Sequence, residues 1–70
     1  MKLSARNQLK GVVKSINEGA VNGIVTIEIG GGQTISATIS MAAIKELNLK
    51  PGKEAYAVIK ATSVMVGVDE

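Results

Sequence analysis

A chain of 70 residues carrying a net charge of +2, with no cysteine and no histidine, is expected to form a single domain, residues 1–70, without disulfides and without the usual ligands for zinc, copper or haem. The same absences remove histidine-dependent acid–base and triad chemistry, and nothing else in the chain suggests an enzyme. The only aromatic residue is Tyr56, against 46% hydrophobic residues drawn mostly from Val, Ile, Ala and Leu, so a base-stacking platform for nucleic acid is missing.

No apolar run approaches the roughly 18 residues that would span a bilayer. The N-terminal stretch holds a lysine but no continuous apolar core of a signal peptide, so the expected location is the cytoplasm.

In chain order, residues 4–11 read Ser-Ala-Arg-Asn-Gln-Leu-Lys-Gly before apolar Val12-Val13. If this segment is extended, Ser4 and Arg6 share a side. A hydroxyl beside a planar five-donor cation makes half of an oxyanion site. Gln8 to Ile16 predicts a first strand and Asn17-Glu18-Gly19-Ala20 a turn. From Val21 to Ile29 the residues alternate, with Val21, Gly23, Val25, Ile27 and Ile29 on one face. A second alternating run places Ile35, Ala37 and Ile39 together. Gly30-Gly31-Gly32 between them reads as a hairpin turn; a phosphate loop would need Gly-Lys-Ser/Thr at a helix start, and a strand follows instead.

Ser40 is a suitable N-cap for a helix of about two turns over Met41 to Leu47, with Ala43, Ile44 and Leu47 on its core face. Pro51-Gly52 ends that region. Ala55 to Lys60 predicts a fourth strand, and Ser63 to Val68 a fifth with Val64, Val66 and Val68 inward. The pattern predicts an all-β, five-stranded Greek-key barrel of the OB type with one short helix between strands 3 and 4, an SH3-like barrel being the alternative. Val12, Ile24, Tyr56, Val58 and Met65 fall on the opposite faces. Apolar residues on both faces of a strand imply that both are covered, and the chain is expected to be an obligate homo-oligomer.

Lys60-Ala61-Thr62-Ser63 is by composition a charged, hydroxyl-rich turn. Paired with Ser4 and Arg6 it gains a second reading. A tetrahedral dianion exposes only acceptors, and here Arg6 offers a fork, Lys60 a point charge, Ser4 a hydroxyl and Ala61 a backbone N–H. The helix start after Ser40, with the N–H groups of Met41 to Ala43, is a further donor set. The carboxylates, Glu18, Glu28, Glu46, Glu54, Asp69 and Glu70, are scattered and read as solubility residues.

The blocks Ser4 to Gly11 and Lys60-Ala61-Thr62-Ser63-Val64-Met65 resemble the Mop (molbindin) family of molybdate-binding, TOBE-type OB domains, and the resemblance covers nearly the whole chain. It implies intracellular binding of molybdate and tungstate for storage, with the oxyanion as ligand and no redox cofactor or metal cation. The implied assembly is a hexamer built as a trimer of dimers. Position by position, the implied interfacial site takes Ser4, Arg6, Lys60 and Ala61 from one subunit, and Ser40 with the amide around Ala43 from its neighbour. A second oxyanion site is implied at Gly19, Val21 and Asn22. Two other classes compete: a sensing module that passes anion occupancy to a protein partner, and a nucleic-acid-binding OB fold, which the single tyrosine disfavours.

Overall fold

The computed structural model describes residues 1–69. Its centre is β1 (Asn7–Glu18), which pairs antiparallel with both β2 (Asn22–Gly30) and β4 (Glu54–Ile59). With β3 (Gln33–Ser40) beyond β2, the sheet order is β3-β2-β1-β4, so the last strand returns to lie beside the first. One helix, α1 (Met41–Glu46), follows β3, and a 3₁₀ turn spans Ala61–Ser63.

The alternation in the sequence sets the faces. Val25 lies opposite Ala37, and Ile27 opposite both Val13 and Ile35; Val13, Val25 and Ile27 make the core with Ile44 and Ala57, and Ile35 packs against it. Gly31 and Gly32 form the β2–β3 turn at φ +60° and +78°, the left-handed conformation that two-residue hairpins need and glycine adopts without strain. Gly23 sits beneath the helix, where a Cβ would lie 2.7 Å from Ile44 and 2.9 Å from the Met41 sulfur. That close approach lets Ile44 reach the sheet. A register shift between Val13 and Ser15 leaves Lys14 unpaired, and the 50–53 loop is stitched there: Gly52 N–H donates to Val13 O (2.8 Å) and Val13 N–H to Lys53 O (2.9 Å).

Two expectations are corrected. Leu47 is not on the buried face of the helix; it is the C-cap, 57% exposed, and Ile44 alone is buried. The described residues form four strands, without the expected fifth. Residues 64–68 pair with nothing, and Val64, Val66 and Val68 are 50%, 91% and 78% exposed rather than inward. The physical reason is that the chain leaves the 3₁₀ turn away from its own sheet, so the alternating valines meet no wall. An apolar groove of about 490 Å³ therefore stays open along the inner face, walled by Val25, Ile27, Ala37, Ile39 and Ala57.

The sheet is thus a half-barrel. Its accessible surface is 5494 Å², where a compact 7.2 kDa monomer would show about 4100 Å². The radius of gyration is 12.9 Å, against about 11 Å for a compact domain of this length. Outer-face Val12, Ile24, Tyr56 and Val58 are each between 41% and 46% exposed.

Candidate anion-binding site

The pairing of Asn7 with Ile59 decides where the N-terminal cation lies. One residue further out on each strand come Arg6 and Lys60, so the two cations leave the sheet at the same end. Asn7 tightens that end by donating its side-chain N–H to Ile59 O at 3.2 Å. Ser4 and Arg6 are not extended as the sequence suggested; both sit in bends before β1 begins. The Gln8 side-chain amide fixes this lead-in by donating to Ala5 O at 3.0 Å.

Beyond Lys60 the chain turns at once. Ser63 N–H donates to Lys60 O and Val64 N–H to Ala61 O, which leaves the N–H groups of Ala61 and Thr62 without a backbone acceptor among the described residues. Ser4, Arg6, Lys60 and Ala61 are all exposed. The one ion pair among the described residues is Lys10–Glu54, 3.7 Å apart, so among those residues neither Arg6 nor Lys60 has a carboxylate partner. Two cations, a hydroxyl and two amides, all open among the described residues, gather donors at one sheet end, where the hydroxyl alone can also accept.

Ser40 and the helix start lie at the other end. Ser40 pairs with Asn22, and Gly23 with Glu18 at the far terminus of β1. The twelve residues of β1 run between the two groups, a path of up to about 35 Å at the usual strand rise. Within one chain they cannot share an ion. The Ser40 hydroxyl accepts from Ala43 N–H at 3.0 Å and Met41 N–H donates to Val21 O at 2.8 Å. Of the three amides expected there, only that of Ala42 remains open, while the Ser40 O–H keeps its own proton to give.

Gly19, Val21 and Asn22 form the tight β1–β2 connection, in which a Cβ on Gly19 would run into the Asn22 carbonyl. The adjoining hollow, about 290 Å³, also carries Glu18, a carboxylate that opposes an anion. No cluster of His, Cys, Asp or Glu able to hold a metal ion occurs among the described residues. No helix of those residues is long and apolar enough to cross a membrane.

Sequence reasoning missed Asn7 and the Thr62 amide. Asn7 could have been found only by fixing the β1–β4 register. The Thr62 amide, and the selection of Ala42 among the three expected amides, become visible only once the neighbours' hydrogen bonds are assigned.

Residues 3–66 match the TOBE domain family. The chain is 71% identical over 69 residues to a "Probable molybdenum-pterin-binding protein" of Haemophilus influenzae, covering 99% of this chain and all of that one. Among solved structures, a molybdate-binding protein from Sporomusa ovata superposes with a TM-score of 0.89 at 34% identity, over 97% of this chain and all of that one. The cytoplasmic molybdate-binding protein ModG, in a molybdate-bound crystal form, gives a TM-score of 0.92 at 51% identity; the match covers 99% of this chain and 49% of ModG.

Proposed function

The chain belongs to the TOBE-domain family of Mop (molbindin) proteins, and from that premise we propose that it binds molybdate, and tungstate with it, reversibly between copies of itself as an intracellular oxyanion store. Its relatives are named for binding molybdate or molybdenum-pterin, and the function proposed is likewise binding without catalysis.

One observation carries the interfacial reading: the two donor groups lie at opposite ends of β1. Arg6, Lys60, Ser4 and Ala61 of one chain form the cationic half of the site. Ser40 and the helix start near Ala43 supply the other half from a neighbour, the Ala42 amide taking the place of the engaged Ala43 amide. Gly19, Val21 and Asn22 form a second, weaker site, because Glu18 lines the same hollow.

The homo-oligomer, a hexamer arranged as a trimer of dimers, is supported by the excess surface, the apolar outer face and the open groove. Residues 64–68 of a neighbouring copy are the matching fifth strand that closes the barrel, since their exposed valines have the right period and the groove has the missing wall.

Donor counting also predicts selectivity. Phosphate near pH 7 keeps a proton that needs an acceptor, whereas molybdate carries none; the cations and amides cannot accept, and a hydroxyl that turns to accept gives up its own bond to the anion. Stranding that proton costs about 1–3 kcal/mol. Sulfate escapes this penalty and is rejected by size alone.

The test is calorimetric titration with molybdate of the wild type, Arg6→Ala, Lys60→Ala and Arg6→Lys. Each Ala variant should lose about 2–5 kcal/mol of binding, the range for truncating a buried charged contact. Arg6→Lys should also weaken binding, since an ammonium lacks the fork. Wild-type titrations in all three would remove the site from this end of the sheet.

A further inference from the structure

We propose that the acidic pair Asp69-Glu70 of one chain latches onto a lysine collar, Lys45, Lys50 and Lys53, on the neighbour whose groove receives residues 64–68. This rests on the oligomeric reading above and adds to it a determinant of register and direction.

The collar has no part in the anion site; it lies near the helix, at the opposite end of the sheet from Arg6 and Lys60. It rims a hollow of about 960 Å³. Lys45 and Lys50 are exposed, and Lys53 is half-buried and held in place by donating its ammonium to Leu47 O at 2.7 Å. Two further ammonium hydrogens of Lys53 stay free. Lys45 alone would be explained by its place in the last turn of the helix. Lys50 and Lys53, flanking Pro51-Gly52, are not. Glu18 is the one carboxylate lining that hollow, which leaves an excess of positive charge.

The hollow and the apolar groove share two wall residues, Leu49 and Lys53, so the groove runs directly into the collar. The segment that fits it has the same two-part character. Val64, Met65, Val66 and Val68 are apolar, and Asp69-Glu70 follow immediately. Extended, residues 64–68 reach about 16 Å, and the acids then emerge where the groove gives way to the lysines. Glu54, the carboxylate on the groove itself, lies 3.7 Å from Lys10 in an exposed pair, and the three lysines of the collar outnumber it. The reversed direction would place Asp69-Glu70 against Arg6 and Lys60, in competition with the oxyanion.

The experiment uses the full chain in four forms: wild type, Lys45→Glu/Lys50→Glu, Asp69→Lys/Glu70→Lys, and all four changes together. Lys53 is left alone because of its bond to Leu47. Sedimentation over a dilution series, at about 0.05 M and about 0.5 M salt, reads the concentration of half-dissociation. Each double reversal should raise it about tenfold at low salt and much less at high salt, and the combined variant should return to within about threefold of wild type. Restoration by the combination also shows that each double reversal acts through charge pairing and not through lost folding, which would accumulate instead. An oligomer indifferent to every variant would overturn the latch while leaving the oligomer standing. A wild type that sediments as a folded monomer would overturn both. Tighter molybdate binding by Asp69→Lys/Glu70→Lys, with the lysine reversal silent, would show the reversed direction and overturn the collar.

Discussion

The β2–β3 hairpin and residues 64–68 are written in the same alternating code, yet they end in opposite environments. Val25 is 1% exposed and Ile27 5%, whereas Val66 is 91% and Val68 78%. The hairpin closes through two glycines at positive φ, so its partner strand is local, and Val25 and Ile27 are buried with Val13, Ile44 and Ala57 at the base of the groove. The C-terminal valines follow a 3₁₀ turn that points the chain off its own sheet. Period-two alternation thus states that a face will be buried but not whose wall will bury it.

Deleting residues 64–70 breaks the comparison most strongly. Without the segment the groove keeps no cover, and the chain should lose its oligomer and most of its cooperative folding, as obligate oligomers do when the interface goes. Sedimentation together with thermal melting checks this; a deleted chain that stays an oligomer would put the interface elsewhere.

Next come two substitutions in matched contexts. Ile27→Ala, at a residue 5% exposed within one chain, should cost about 2–5 kcal/mol by denaturant unfolding, most of it from packing lost inside the chain itself. Val66→Ala should instead act through assembly, its cost appearing as a concentration-dependent shift in the midpoint. Equal, concentration-independent losses at both positions would erase the distinction between the two regions.

Gly23→Ala sharpens the role of the helix as a plug over the hairpin. A new Cβ would press on Ile44 and Met41, and overpacking of this kind costs about 1–3 kcal/mol. A neutral result by denaturant unfolding would mean that α1 shifts freely over the sheet. Smallest is Ser40→Ala, which removes the cap to Ala43 and should cost about 1 kcal/mol of stability. Because the Ser40 O–H is also assigned to the ion, the variant should lose molybdate affinity too, readable by titration of the folded protein.

The fold was legible wherever contacts are local. Val25 and Ile27, Ile35 to Ile39, the glycine turn and the Ser40 cap follow from alternation and turn chemistry. Leu47 was misread because a helix of six residues stops before its next core position. The fifth strand was misread because alternation at residues 64–68 carries no information about a partner, and no strand among the described residues lies beside them. For the site, residue types at positions 4, 6, 60 and 61 announced donors, and the β1–β4 register brings those positions to one end. Hydrogen-bond competition was invisible: nothing in the order Ser40-Met41-Ala42-Ala43 reveals that Met41 gives its amide to Val21.

The central claim is that an oxyanion is held only between copies, and native mass spectrometry of the full chain titrated with molybdate tests it most directly. Spectra taken across a dilution series that spans dissociation separate oligomer from monomer in one sample. The account predicts molybdate adducts on the oligomer and a bare monomer at every anion concentration, because Arg6 and Lys60 cannot meet Ser40 within one chain. A monomer that carries molybdate as readily as the oligomer would contradict it.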